Sequence, residues 1–290
     1  MVAIATLRRR EIVGPTVMKL ANQNRLPDLV IVSAVSAKDV DTNQFHQLPF
    51  PVKVIFGVKG ACVQRNRAME LVTDDDIIVF LDDDFLLAPD YLAQVEIIFA
   101  ENPRFSLLTG NVIADGVGQE GYSHQTGDRL LKTLDTGERP EHYFEVFSGY
   151  GCNMATRMGH TLPNNIWFDE NLPLYAWLED LDFSRQLAKF GKIVKAPQLV
   201  GIHLGTKVSR SPGEMLGYSQ IANPAFLARK GSMKTGRAQR SMIRNMIANM
   251  IGSLKPEPWI DRRGRLRGNL LGLKDLFLGK CSPNRILKLR

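Results

Sequence analysis

The chain contains only three cysteines, Cys62, Cys152 and Cys281, and no two of them stand at a CxxC or ligand-like spacing. That argues against a disulfide framework and a zinc site, and fits a reducing cytoplasm. No uninterrupted apolar run approaches the length needed to cross a bilayer. The N-terminus reads apolar (MVAIATL) and then basic (RRR), the reverse of a secretory leader and too short for one. Repeats and low-complexity tracts are also missing. What remains is 290 residues, 44% hydrophobic and 23% charged. This is an ordinary soluble composition, enough for one large domain or one domain with an appendage.

Charge is unevenly placed. From Arg229 onward there are 16 Lys and Arg against 3 Asp and Glu, a net of +13, so an overall charge of +7 leaves the preceding residues at −6. The expected division is therefore a body over 1–228 and a basic helical region over 229–290. In that region Met242, Ile243, Met246, Ile247, Met250 and Ile251 recur at helical spacing beside Arg240 and Arg244. Leu270, Leu271, Leu273, Leu276 and Phe277 repeat the style. Basic amphipathic helices suit anionic membrane surfaces, and the plain alternative is a helical subdomain packed on the body. Few aromatics and no recognised motif speak against nucleic acid.

Along the body, short β-rich runs at 2–7, 29–35, 52–57 and 77–81 alternate with helical periodicity near 13–24, at 62–72 and at 89–102. A polar, glycine-rich stretch from 115 to about 140 reads as a loop. A helix over 179–190, capped by Gly191, and a strand at 192–197 follow. Such alternation predicts an α/β fold with a mainly parallel sheet covered on both faces.

The segment TDDDIIVFLDDDF carries two acidic triads around five apolar residues. A five-residue strand spans roughly 17 Å, so the triads fall at its opposite ends. Ligands bind beyond the carboxyl ends of strands in open α/β sheets. Asp82, Asp83 and Asp84 are then the ligand-side triad, and Asp74, Asp75 and Asp76 a solvated turn. Hard oxygen donors closely spaced at a strand end suit Mg²⁺ or Mn²⁺. A second acidic cluster, Glu179 and Asp180 in WLEDLDFSRQLAKFG, opens a helix, where carboxylates are favoured by the helix dipole.

At this point the chain resembles the family 2 glycosyltransferases of GT-A fold, over about residues 2–205. ATLRRRE, with Thr6 and Arg8, looks like the family's opening loop. GVKGACVQRNRAME resembles its helix start through Gly60, Ala61, Arg65 and Asn66, and VFLDDDF its DxD motif. GYGCNMATR, with Gly151, is similar to the loop lining the sugar site. The segment from FDENLPLYAWLEDLDF to GIHL resembles the one carrying the ED dyad and a later histidine. One departure is Ser33, where the family usually has a base-contacting aspartate. Asp39 then substitutes, or the base is recognised differently.

The resemblance implies an inverting, metal-dependent transfer of one sugar from a nucleotide-sugar donor to a glycan or lipid-linked acceptor. The implied site has Asp84 and Asp82 holding Mn²⁺ or Mg²⁺, and Asp180 as base with Glu179 orienting it or binding acceptor. His203, structural on its apolar run alone, becomes a third metal ligand under the resemblance. Thr6, Arg8, Asp39, Gly60, Arg65, Asn66, Asp82, Asp83, Gly151 and Lys207 form the nucleotide-sugar set. It also implies a cytoplasmic protein, peripheral on the inner face of the membrane. Processive members carry membrane helices and a QxxRW motif, and their absence here favours single-sugar transfer. Two rivals stand beside this reading. A metal-dependent nucleotidyltransferase would bring a better glycine-rich phosphate loop than ATLRRREIVG. A non-catalytic membrane or nucleic-acid binding protein would work through the basic tail.

Overall fold

The computed structural model describes residues 1–133 and 142–289. It divides into two compact units: Met1–Lys59, Val63–Trp167 and Phe183–Ser209 form the first, and Gly60–Cys62, Phe168–Asp182 and Arg210–Arg290 the second.

In chain order the strands and helices are β1 Val2–Ala5, α1 Arg10–Lys19, β2 Val30–Ala34, β3 Val52–Phe56, α2 Ala61–Met69, β4 Ile77–Asp82, β5 Phe85–Leu87, α3 Tyr91–Glu101, β6 Phe105–Asp115 and α4 His124–Lys132. Then come β7 Phe144–Glu145, β8 Asn153–Arg157, α5 Glu179–Leu187, β9 Lys192–His203, α6 Gly213–Lys230, α7 Thr235–Gly252 and α8 Arg262–Phe277. The first unit holds one sheet ordered β3-β2-β1-β4-β8-β6-β9-β5, with β7 on β9. Strands β3, β2, β1 and β4 run parallel, as do β6 and β9, while β8, β5 and β7 pair antiparallel. The α/β class expected from the alternating runs holds, with antiparallel strands added towards one side.

Strand periodicity explains how both faces are covered. Val79 and Leu81 of β4 join Val2 and Ile4 in a core with Val13 and Val17 of α1 and Tyr91, Val95 and Phe99 of α3. Phe80 points the other way and meets Phe183 of α5 edge-on, with ring centroids 6.1 Å apart.

Several elements depart from the sequence reading. Helix α1 begins at Arg10, because the Arg9 carbonyl already accepts the N–H groups of Ile12 and Val13. The stretch read as a loop contains helix α4, which Ser123 caps by accepting from the Thr126 N–H. Its apolar Leu130 and Leu131 pack against Leu86, Ile202 and Leu204. Residues 134–140 of that stretch lie outside the described residues. Helix α5 stops at Leu187, and the Gly191 N–H donates back to the Leu187 carbonyl at 3.3 Å to close its last turn, with the Arg104 carbonyl packed beside Gly191.

The second unit packs α6, α7 and α8 through small and polar residues. A Cβ on Gly217 would meet the Arg265 carbonyl at 2.0 Å, and one on Gly268 the Glu214 carbonyl at 2.0 Å. Glycine at these positions lets α6 and α8 approach backbone to backbone. Buried amides complete the seam. Asn249 Nδ2 donates to Gln220 Oε1 and Asn269 Oδ1, both at 2.8 Å, and Asn269 Nδ2 donates to the Gly217 carbonyl at 2.7 Å. The leucine-rich stretch of α8 is only partly on its packing face: Gly264, Gly268, Asn269 and Gly272 are buried, and Leu271 and Leu276 pack against Tyr218 and Ala222 of α6, while Leu270 and Phe277 are exposed.

Candidate functional site

The two acidic triads occupy the two ends of β4. Asp74 and Asp75 are exposed, and Asp76 closes a turn by accepting from the Thr73 N–H at 2.7 Å. At the other end Asp83 and Asp84 are buried and Asp82 is partly buried. Three adjacent carboxylates there need compensation, and each finds a different partner.

Asp83 turns towards the β1 loop. Its Oδ2 accepts from the Thr6 hydroxyl and its Oδ1 from Arg9 Nη1, both at 2.7 Å. Burial pushes its carboxyl up to about 6, against the pull of Arg9. Asp82 meets Arg65, whose Nη2 lies 3.2 Å from Asp82 Oδ1 and also donates to the Gly151 carbonyl at 2.9 Å. Asp84 Oδ2 accepts from the Thr206 N–H at 2.7 Å. Its Oδ1 lies 3.3 Å from His203 Nε2. Burial would raise the Asp84 carboxyl, but the facing His203 ring, then Arg9, hold it well below the usual range.

His203 ends β9, which at this end lies between β6 and β5. Register places it opposite Asp115 on the parallel side and Phe85 on the antiparallel side. Its Nδ1 lies 3.2 Å from Asp115 Oδ1, and its Nε2 lies 3.7 Å from Asp82 Oδ2. Burial would lower the imidazolium, but the Asp115 and Asp84 carboxylates outweigh it and raise the ring strongly. Tyr150 stands edge-on to the ring and donates its hydroxyl to Asp115 Oδ2 at 2.8 Å. Burial pushes the nearby Cys152 thiol up to about 12, which leaves it un-ionised at neutral pH.

One donor atom each from Asp82, Asp84 and His203 lies within 4.8 Å of the others. Asp84 Oδ1 is buried and accepts no well-formed hydrogen bond among the described residues, as an oxygen directed at a cation would be. Two carboxylate oxygens and an imidazole nitrogen form a donor set that suits Mn²⁺ or Mg²⁺. The geometry fits a divalent ion.

The remaining expected residues are distributed as follows. Asp39 is buried and tied to backbone, accepting from the N–H groups of Arg8 and Ser36 at 2.7 Å each. It joins the loops after β1 and β2. Arg8 has φ 54 and an exposed side chain, so its neighbour Arg9 is the arginine that reaches the triad. Ser33 is buried at the end of β2, with Arg67 Nη1 3.3 Å from its hydroxyl. Asn66 is buried on α2, and Lys207 Nζ donates to the carbonyls of Gly116 and Val117. Gly60, at φ 145, and Glu179 and Asp180, in the first turn of α5, belong to the second unit.

The structure thus brings Thr6, Arg65, Asp82, Asp83, Asp84, Gly151 and His203 into one network, and adds Arg9, Asp115, Tyr150 and Thr206. Asp115 carried one readable signal. It ends a largely β-forming run, FSLLTGNVIA, as Asp82 ends IIVFL.

The family described as "Glycosyltransferase like family 2" matches residues 1–147, which is just over half of the chain, and the protein belongs to that family. It is a glycosyltransferase. Solved structures share the fold at low identity. The mannosyltransferase PcManGT from Pyrobaculum calidifontis, in complex with GDP-Man and Mn²⁺, has a TM-score of 0.55 at 12% identity, covering 95% of this chain and 86% of that one. S. aureus TarS 1-349 gives 0.54 at 15%, covering 99% and 82%. The longer S. aureus TarS structure gives 0.50 at 13%, covering 88% of this chain, which spans only 44% of that one. No curated protein matches the chain.

Proposed function

We propose that the enzyme moves a single sugar, with inversion, from a nucleoside-diphosphate sugar to a glycan or lipid-linked acceptor. The observation that carries this reading is the convergence of Asp82, Asp84 and His203 at the ligand edge of the sheet. These three residues would hold Mn²⁺ or Mg²⁺, and a cation there offsets the charge that develops on a departing diphosphate. Arg9 pairs with Asp83 and Arg65 with Asp82, which offsets the mutual repulsion of the triad.

Thr6, Arg8, Asp39, Gly60, Asn66, Asp83, Gly151 and Lys207 are the proposed donor-side residues, acting directly or by shaping the loops. Asp180 is the proposed base. It accepts the proton of the acceptor hydroxyl as that oxygen bonds to the anomeric carbon and the bond to the diphosphate oxygen breaks. Glu179 orients the acceptor. A single displacement of this kind inverts the anomeric centre and needs no enzyme nucleophile. A lipid-linked acceptor would be met on the cytoplasmic face of a membrane.

Titration calorimetry with a panel of nucleoside diphosphates, with Mn²⁺ and with EDTA, tests the reading. The GDP-Man and Mn²⁺ in the P. calidifontis neighbour put GDP in that panel. The expected result is metal-dependent binding of one nucleotide that Asp84→Ala removes. Binding to none, or binding indifferent to metal and to Asp84, would overturn it.

A further inference from the structure

Helix α7 is amphipathic in the inverted sense. Its buried residues are Ala238 and Asn249, and its inward side is an amide seam, with Asn249 bonded to Gln220 and Asn269 and Asn245 to Gln220. Its outward side carries Ile243, Ile247, Met250 and Ile251, followed by Leu254 just past the helix, and all five are exposed. These positions are spaced i, i+4, i+7, i+8 and i+11, so they share one face. Met242 and Met246, expected on the same stripe, are instead half-buried. In water a helix of a bundle turns its isoleucines inward and its asparagines outward. Polar and small residues inside with apolar residues outside is the pattern of helices that meet lipid.

Charge identifies the occupant. Residues 229–256 contain no aspartate or glutamate, and Arg237, Arg240, Arg244 and Lys255 are exposed on or next to α7. Arg240 and Arg244 sit on the same turns as the apolar stripe. A second copy of the chain would bring the same unbalanced positive charge against it, whereas an anionic lipid surface supplies the complement. No helix of the described residues is long and apolar enough to cross a membrane. The 18-residue helix, about 27 Å long, would therefore lie in the plane of the interface.

We propose that α7 is an interfacial membrane helix, with Ile243, Ile247, Met250, Ile251 and Leu254 inserted among lipid chains and Arg240 and Arg244 against anionic headgroups. The proposal stands on this helix and is independent of the donor chemistry. It is tested without substrate, so its failure and that of the transfer reading are separable.

The test is cosedimentation of the full chain with vesicles of phosphatidylcholine alone and with added phosphatidylglycerol. The expected result is partition onto the phosphatidylglycerol vesicles, weakened by salt. Arg240→Gln with Arg244→Gln lowers that partition roughly 30-fold, and Ile247→Ser with Ile251→Ser lowers it about 100-fold or more. All four side chains are exposed, and thermal melts matching the wild type verify that each variant folds. Failure to bind anionic vesicles, or equal binding by both variants, overturns the proposal. So does a dimer in velocity sedimentation that the isoleucine variant dissociates, which would make the face a self-contact.

Discussion

The carboxylate of Asp115 faces Nδ1 of His203 at 3.2 Å, while Nε2 of the same ring faces Asp84 at 3.3 Å. The contact follows from strand register, since the two residues are partners on parallel β6 and β9. A carboxylate behind the ring fixes its orientation and leaves the far nitrogen to act as a ligand. Asp115→Asn should then weaken Mn²⁺ binding by about 10- to 100-fold, measured by titrating the protein with Mn²⁺ alone. Unchanged affinity would remove His203 from the ligand set.

Gly205 follows His203 by two residues and has φ 65. A Cβ there would meet the Gly116 carbonyl carbon at 2.1 Å and the Val117 nitrogen at 2.3 Å. Both are backbone atoms and cannot swing aside. Gly205→Ala should cost about 1–3 kcal/mol and displace the Thr206 N–H that holds Asp84. Thermal denaturation reads the first effect and Mn²⁺ titration the second. A variant with wild-type stability would contradict the strain assigned to this turn.

Lys230 Nζ lies 2.6 Å from both Asp169 and the fully buried Asp182. Burial would raise the Asp169 carboxyl, but the Lys230 hydrogen bond and the Asn171 N–H hold it below its ordinary value. A depressed folded value means the unfolded chain binds more protons in acid. The contribution of Asp169 is thus complete above about pH 4 and lost as pH falls through the folded value. Lys230 runs the other way. Burial would lower its ammonium, the two carboxylates raise it, and its contribution is lost only as pH rises beyond about 10.4. Urea denaturation between about pH 3 and about pH 7 should show the wild type losing more stability in acid than Asp169→Asn does. Parallel curves would exclude the pairing.

These residues differ in how far the sequence announced them. The strands at 2–7, 29–35 and 77–81 were legible because buried parallel strands leave short, nearly continuous apolar runs, and the edge strand at 52–57 because its β-rich residues alternate around Lys53. The opposite fates of the two aspartate triads followed from strand length and direction. Helix α4 was not legible, since Gly127 interrupts it and its apolar Leu130 and Leu131 come only at the end. Arg9 was hidden by its neighbours: RRR does not say which arginine turns inward, and that choice depends on the positive φ of Arg8. The packing face of α8 is only partly legible, because its glycines meet α6 backbone to backbone alongside Leu271 and Leu276. Close backbone approach leaves no hydrophobic period.

The two acidic clusters can be separated by what each variant keeps. Asp84 belongs to the proposed cation site, so Asp84→Ala should remove metal-dependent nucleotide binding and, with it, transfer. Asp180, at the start of α5, is the proposed base. Asp180→Asn should leave metal-dependent nucleotide binding within about twofold while lowering kcat by about 10² to 10⁴. Release of the nucleoside diphosphate in the presence of acceptor measures kcat, and calorimetry measures binding on the same preparations. If Asp180→Asn lost nucleotide binding as Asp84→Ala does, Asp180 would act in donor binding and the base would have to be sought elsewhere. If it kept both binding and turnover, proton transfer would not pass through the ED pair at all.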